Sequence, residues 1–393
     1  MLLLALFFIL GSNNSNLDAF DPYDVSDVFS ESNSDEISDT DTQTDEFDIY
    51  NEYHSASKSG FVNTGYVFFP FYNKVDDDNT AYGVDAMYYF RRQKEPPYSK
   101  PSYLRGVLAV GSDSYASVGA SYNSYWKNEA SNFYGSTWFE RRKARYYQPL
   151  SEDPKLLGHY RSSQTNLSVL YRQKLWSRSY VGVKFDFQNN EMYSKDPESN
   201  FKIGTNSING LDGGLISGFG LVLSSLEPGS LFSTLGKFEF EISNMFYLNY
   251  FGSDFNFGVH SVDIQDSLFI YGAHVFLLRF YGRFMTGEPP YSSLSSVGDM
   301  FRAYSVDKYR DRHFMGGNAE YRMLLISVIT LRAFFGLGYH ASSFSKFKIN
   351  NALPCYGAGL SFALNKALGI NAGFQYLAGK DSKGILFGVG DNY

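Results

Sequence analysis

Apolar and polar residues alternate along most of the chain after Gly60. In the segment 181–187, two valines and two phenylalanines alternate with Gly, Lys and Asp. The segments 237–242 and 274–284 follow the same period of two. Because successive side chains leave a β-strand on opposite faces, each segment predicts a strand with one apolar and one polar face.

Sixteen such segments, separated by turn residues, run from 62–72 to 383–393, and the longest connections between them are 190–212 and 287–311. Repeated strands of about ten residues with this alternation are typical of membrane-spanning β-barrels. A soluble β-sandwich would alternate too, but the aromatic apolar face and the charged opposite face favour a barrel. We therefore predict an all-β fold, with a closed antiparallel transmembrane β-barrel of about sixteen strands over 58–393.

The composition and the N-terminus agree with an exported barrel. The 393 residues include 32 Tyr and 36 Phe, as expected for aromatic girdles at the two membrane interfaces. The longest apolar run, Leu2–Leu10, is shorter than the roughly 20 residues that a membrane-spanning helix needs. This run predicts a signal peptide over 1–11, although no Lys or Arg precedes Lys58. We expect the protein in the outer membrane of a Gram-negative-type bacterium.

The segment 12–57 is strongly acidic. It carries thirteen Asp and Glu residues and no Lys or Arg, within a chain whose net charge is −7. A segment with so much charge and so few apolar residues buries too little surface to offset its ordering entropy. We predict that 12–57 is disordered and dispensable for folding.

The sequence offers little for cofactor or nucleic-acid chemistry. The single cysteine excludes an intramolecular disulfide, and the six histidines lack the spacing of a metal site. No glycine-rich phosphate loop follows a predicted strand, and the acidic net charge argues against nucleic acid. We expect no cofactor and no nucleic-acid partner.

One enzymatic alternative rests on His340 and Ser342, which lie two residues apart on one strand face. Outer-membrane phospholipases pair a barrel-surface serine with a histidine base in this way. The asparagine expected directly after the serine is Ser343 here. We therefore expect no enzymatic activity.

The loop after the eleventh predicted strand carries a recognisable order of motifs, namely GEPPY at 287–291, MFRAY at 300–304, YRDR at 309–312 and GGNAEYR at 316–322. This order resembles the BamA/TamA-like bacterial surface antigen family of outer-membrane assembly and translocation barrels. In that family a hydrophobic-Arg-Gly-aromatic motif lies in the sixth outer loop, between strands eleven and twelve of sixteen. The matching positions here are Phe301, Arg302, Ala303 and Tyr304.

Several positions depart from the family pattern. Ala303 stands where the family has glycine, which restricts the backbone to ordinary φ values. Gly336 stands where some members place a lumenal aspartate. The segment 12–57 is too short and too acidic for a periplasmic POTRA domain, so we expect a barrel without these domains. The resemblance thus supports the barrel better than a role in folding client proteins.

The resemblance implies an internal ion pair. The arginine of the motif, Arg302, would fold back into the lumen and meet Glu320 on the twelfth strand, where charge-assisted hydrogen bonds are strong. The alternative is that Arg302 is a solvated loop residue and that Glu320 pairs only with neighbouring lumenal arginines.

The resemblance also implies a weak seam between the first and last strands, at which the barrel can open sideways. Pro70 removes a backbone donor from the first strand, and Gly384, Gly388 and Gly390 loosen the last. The alternative is that these glycines are ordinary barrel residues and that Pro70 lies just beyond the paired region.

Together these features predict a role in outer-membrane biogenesis, by insertion or translocation of protein or lipid through local membrane disruption. The partners expected are outer-membrane lipid, client outer-membrane proteins or a periplasmic factor. The alternative functions are a passive porin-like channel and a structural surface antigen.

Overall fold

A computed structural model describes the chain in the ranges 64–74, 80–92, 101–176, 179–193, 209–225, 238–271, 274–301, 303–326, 328–365, 370–380 and 382–389. The predicted signal peptide over 1–11 and the acidic segment over 12–57 lie outside these ranges. Within them, the strands are β1 Thr64–Lys74, β2 Thr80–Phe90, β3 Ser102–Gly111, β4 Ala116–Trp126, β5 Ser131–Tyr147, β6 Leu156–Trp176, β7 Ser179–Tyr193, β8 Gly213–Ser225, β9 Glu239–Tyr247, β10 Phe257–Tyr271, β11 His274–Gly287, β12 Ser295–Ser296, β13 Arg310–Asp311, β14 His313–Ile326, β15 Ile329–Ala341, β16 Leu353–Asn365, β17 Ile370–Gly379 and β18 Lys383–Val389.

Short 3-10 helices occur only in the connections of the described chain, at Ser112–Ser114, Asn249–Phe251, Tyr291–Ser293, Val297–Asp299, Phe344–Lys346 and Ile349–Asn351. None of the described helices is long and apolar enough to cross a bilayer.

Sixteen of the strands form a single antiparallel sheet in chain order, and we call them the wall strands. They are β1 to β11 followed by β14 to β18, while β12 and β13 pair only with each other. The prediction of sixteen antiparallel strands is confirmed. The segment between β11 and β14 therefore lies between wall strands eleven and twelve, as the sequence indicated.

The two faces of the sheet differ as the alternation predicts. Side chains on the outer face are apolar and accessible, with Val183 exposed to 54% and Leu278 to 42%. The inner face carries ion pairs between neighbouring strands. Arg279 of β11, next to Leu278 in sequence, contacts Asp263 of β10 at 2.7 Å. The predicted division of these side chains between an apolar and a polar face is therefore correct, because a slip of one residue would exchange the two faces.

The first and last wall strands lie side by side, with Cα atoms within 8 Å of each other. In the described residues, however, no backbone ladder joins β1 to β18. Pro70 lies opposite Val84 of β2, and Gly384 has open space where a side chain would project. Gly388 pairs with Gly373 of β17, and Gly390 lies outside the described residues. A hydrogen-bonded closure of the barrel, and with it the predicted seam, stays a prediction.

Candidate functional site, the lumenal loop

The connection between β11 and β14, residues 288–312, is turned into the space enclosed by the sheet, and we call it the lumenal loop. Tyr291 and Val297 are fully buried, and Tyr309 is only 1% exposed. Apolar and aromatic side chains in a surface loop would remain in contact with water. This loop instead forms part of the interior.

The lumenal loop has regular structure of its own. Ser296 and Asp299 form a capping box, in which the Ser296 hydroxyl accepts the Gly298 N–H at 3.1 Å and Asp299 accepts the Ser296 N–H at 3.2 Å. The strand residues Ser295 and Ser296 pair with Asp311 and Arg310. Such local hydrogen bonds satisfy backbone groups that are buried away from water. The loop is thereby held in one shape within the lumen.

One end of the loop is tied to β5 by Asp307. Its carboxylate accepts hydrogen bonds from both Nη atoms of Arg142, at 2.6 and 3.0 Å, and from the backbone N–H of Arg145 at 3.2 Å. The side chain of Asp307 is only 2% exposed. Two-pronged arginine–carboxylate contacts are among the strongest hydrogen bonds in proteins, so this pair fixes the position of the loop.

The charge of Asp307 is retained in spite of its burial. Removal from water raises the pKa of a carboxyl group, but the guanidinium groups of Arg142 and Arg310 and the Arg145 N–H outweigh that effect. The pKa of Asp307 is consequently held below its ordinary value. Arg310 lies at 3.5 Å, so two arginines surround one carboxylate.

Aromatic packing also holds the lumenal loop against β5 and β6. The ring of Tyr291 lies 5.2 Å from that of Tyr146 on β5 and 6.3 Å from that of Tyr160 on β6. Arg310 stacks over the same ring at 5.2 Å, and its carbonyl accepts the N–H of Leu150 at 3.0 Å. Ion pairs, packed aromatic rings and a backbone hydrogen bond therefore hold the loop against the β5–β6 side of the lumen.

The motif residue Phe301 lies against the opposite wall, on a surface made of glycines. A methyl group built on Gly336 or Gly338 would come within 2.6 Å of the Phe301 ring, and one on Gly316 within 3.0 Å. These glycines lie on β14 and β15. The absence of side chains there creates the space that the ring fills, which explains why Gly336 suits this chain.

The neighbouring motif residues reach β16, β17 and the turn before β18. The Tyr304 hydroxyl donates to the Pro354 carbonyl at 2.6 Å and accepts the Lys380 N–H at 2.9 Å. The Ala303 carbonyl accepts a hydrogen bond from the Ser382 hydroxyl. Ala303 and Tyr304 are 7% and 5% exposed. Three of the four predicted motif residues thus have buried, specific contacts.

The lumenal loop therefore connects two walls that lie far apart in the sheet. Asp307 binds β5, the fifth wall strand, whereas Phe301 packs on β15, the thirteenth. Seven of the sixteen wall strands lie between the two contacts. In a barrel of this topology, the loop crosses the lumen.

The structure does not test the predicted ion pair between Arg302 and Glu320, because Arg302 lies outside the described residues. Glu320 is 4% exposed, and its carboxylate contacts Arg322 at 2.6 Å and Arg332 at 3.9 Å. Glu320 is therefore a buried lumenal residue with arginine partners on β14 and β15. Its coupling to Arg302 stays a prediction.

The histidine of the enzymatic alternative is also part of the interior. His340 is 6% exposed, and its Nδ1 lies 3.1 Å from the Asp311 carboxylate of the lumenal loop. The hydroxyl of Ser342 accepts a hydrogen bond from Lys346 at 3.0 Å. His340 thus faces the loop and not the outer surface at which lipid esters would be found.

Sequence reasoning missed Asp307 and Arg142. They lie 165 positions apart, and Arg142 is one of four basic residues within 141–145. Nothing in the alternation of β5 distinguishes the arginine that meets the loop. The available signal was the mixture of two aspartates with three basic residues in the segment 307–312.

No protein-family model matches the chain, and no curated protein matches it. Its fold is nevertheless found among solved structures. BamA from Haemophilus ducreyi lacking POTRA domains 1–3 superposes with a TM-score of 0.55 at 11% identity, covering 84% of this chain and 70% of that chain.

Two CdiB structures are similar to the same extent. CdiB from Acinetobacter baumannii has a TM-score of 0.54 at 12% identity, and CdiB from Escherichia coli has 0.55 at 12%. Each covers 83% of this chain, which spans 59% and 62% of their respective lengths. The chain therefore has the fold of the BamA and CdiB barrels, which confirms the resemblance at the level of fold.

Proposed function

We propose that this chain is a BamA-like outer-membrane barrel that inserts or translocates proteins in the outer membrane of a Gram-negative-type bacterium. The observation that carries the proposal is the lumenal loop, which lies between wall strands eleven and twelve with Phe301, Ala303 and Tyr304 buried. A chain that serves only to conduct ions needs an open lumen. Here the loop spans from β5 to β15.

In this proposal the loop keeps the lumen closed while the seam between β1 and β18 opens sideways. In the part of the chain that the structure describes, no ladder joins these two strands, and an unpaired strand edge can pair with another chain. A client outer-membrane protein would add its strands there by β-augmentation. The apolar outer face would contact lipid, and the activity involves no covalent chemistry.

The passive pore is the second candidate, and the polar inner face favours it. Ion pairs line that face, including Arg105 with Asp85 and Arg172 with Glu241. Charged side chains inside a barrel set the ion preference of a channel. If the lumenal loop leaves a continuous path beside it, the same fold would conduct ions.

Reconstitution of the full chain into lipid vesicles separates the two candidates. An unfolded outer-membrane β-barrel client is added, and its folding is followed by the change in electrophoretic mobility on heating. Vesicles that carry a porin at equal protein density are the control. Faster client folding than in the porin vesicles supports the proposal. Steady single-channel conductance without any such effect would support the pore instead.

A further inference from the structure

A cavity of about 230 Å³ lies between the lumenal loop and the wall formed by β6 to β11. The wall contributes Arg283 of β11, and the loop contributes Ser292, Asp299 and Arg310. A water molecule occupies about 30 Å³ in the liquid, so the cavity holds several waters or one small polar molecule.

The cavity carries an excess of positive charge. In the described part of the chain, no carboxylate lies within 4.0 Å of the Arg283 guanidinium. Asp307, the ion-pair partner of Arg310, is already engaged by Arg142 at 2.6 Å. Asp299, which also lines the cavity, accepts the N–H of Ser296 as a helix cap. Two arginines therefore face one carboxylate that is oriented by the backbone.

Arg310 has hydrogen-bonding capacity left. Its side chain is 12% exposed, and its Nε is buried without a hydrogen-bond partner among the described residues. A buried donor on a charged group is costly unless an acceptor is supplied. The Ser292 hydroxyl accepts the Asn190 amide at 3.1 Å, which leaves its own O–H to donate. Arg310 and Ser292 both line the cavity, so donors of these two side chains are available to an acceptor with negative charge.

We propose that this cavity binds a small oxyanion of the phosphate class between Arg283 and Arg310. Guanidinium groups bind phosphate oxygens through two parallel N–H donors, and the Ser292 hydroxyl adds a third contact. Since Arg283 belongs to the wall and Arg310 to the loop, the bound anion joins the two. The site is independent of the proposed transport activity. Its occupant is inorganic phosphate or the phosphate of a lipid headgroup.

The test uses the full chain folded in a non-ionic detergent. The temperature at which the folded band is lost on heating is measured against inorganic phosphate at constant ionic strength, with chloride as the replaced anion. We expect a saturable rise in this temperature, because a ligand that binds only the folded state stabilises it. In Arg283→Gln the apparent affinity should fall at least about tenfold, since a charge-assisted hydrogen bond is lost.

Arg279→Gln is the matched control, because Arg279 lies on the same strand and the same face but pairs with Asp263. This variant should respond to phosphate as the wild type does, whatever its own stability. An equal response to chloride, or an unchanged response in Arg283→Gln, would overturn the proposal and leave a cavity filled with water.

A second arm distinguishes the two sources of the phosphate group. The protein is reconstituted in vesicles of an uncharged glycolipid that lacks phosphate, with and without phosphatidic acid, and the heating experiment is repeated. If phosphatidic acid stabilises the wild type but not Arg283→Gln, and added phosphate then has no further effect, the lipid headgroup occupies the site. If only inorganic phosphate stabilises it, the free ion does. Stabilisation by neither would contradict the proposal.

Discussion

Asp307 of the lumenal loop and Arg142 of β5 are 165 residues apart in the chain, yet their side chains form two hydrogen bonds at 2.6 and 3.0 Å. Both side chains are withdrawn from solvent, at 2% and 12% exposure. This contact, together with the packing of Phe301 on β15, holds the loop across the lumen.

We expect the side chains of Asp307 and Arg142 to be strongly coupled in their contributions to the free energy of unfolding. Breaking a buried pair by removing one partner typically costs about 3 to 5 kcal/mol, because the other charge is left buried and alone. In a double-mutant cycle of Asp307→Ala and Arg142→Ala, followed by heat denaturation in detergent, the double variant should be far less destabilised than the sum of the singles.

The pair Arg105 and Asp85 is the control for this cycle. It is also two-pronged, through Nε and one Nη of Arg105, but the arginine side chain is 45% exposed. An exposed pair is worth about 1 kcal/mol or less. Equal coupling energies for the two pairs, or strict additivity at Asp307 and Arg142, would show that burial of the first pair contributes nothing.

The pKa of Asp307 predicts how the loop responds to acid. A carboxyl group whose pKa is lowered in the folded state adds stability above its unfolded pKa of about 3.9, and this stability is lost as the pH falls through the lowered value. The loop should therefore remain in place at mildly acidic pH and be released only in stronger acid. Single-channel conductance recorded over this range would rise on release.

Asp307→Asn removes the titrating group and should abolish this acid-dependent rise in conductance. Because the amide cannot form the ion pair, the variant should already show high conductance at neutral pH. A conductance rise at the same acidic pH in both proteins would assign the transition to another group.

We expect that a larger residue in the glycine surface beneath Phe301 destabilises the folded protein. Gly336→Ala places a methyl group within 2.6 Å of the ring, and overpacking of this kind typically costs about 1 to 3 kcal/mol. Heat denaturation should detect the loss. Gly106→Ala is the control, because nothing lies within 4 Å of the added methyl group there. If both variants unfold at the same temperature, Phe301 does not pack on Gly336.

The apolar outer face predicts that a new arginine lowers the folding yield when it is placed on the outer face but not when it is placed on the inner face. Leu278 is 42% exposed on the outer face, and an arginine placed there at mid-membrane would cost roughly 2 to 4 kcal/mol. Asn166 lies on the inner face of β6, where it accepts a hydrogen bond from Gln164, a residue that lines the cavity under the loop. Asn166→Arg should therefore fold in vesicles with near wild-type yield. Similar yields for Leu278→Arg and Asn166→Arg would mean that the outer face does not contact lipid.

The strands could be predicted from the sequence because alternation is a local property, fixed within about ten residues. The same locality explains why wall strands eleven and twelve, and the loop between them, were placed correctly. The contact of Asp307 with Arg142 depends on the curvature of the whole sheet, which no local pattern records. The role of Gly336 was also hidden, because an absent side chain gives no indication of which ring will fill its space.

Cys355 reports directly on whether the loop is folded over the inner wall. It is the single cysteine of the chain, lies on β16 and is 3% exposed beneath Ala303 and Tyr304. The measurement is the rate at which a water-soluble maleimide labels Cys355 in the folded barrel. Since a buried thiol reacts only when the loop opens, Asp307→Ala should be labelled at least about tenfold faster than the wild type.

Asp85→Ala removes an exposed ion pair elsewhere on the wall, so its labelling rate should equal that of the wild type. We expect slow labelling of the wild type and of Asp85→Ala, and fast labelling of Asp307→Ala. Rapid labelling of the wild type, or the same slow rate in Asp307→Ala, would contradict a loop that Asp307 holds across the lumen.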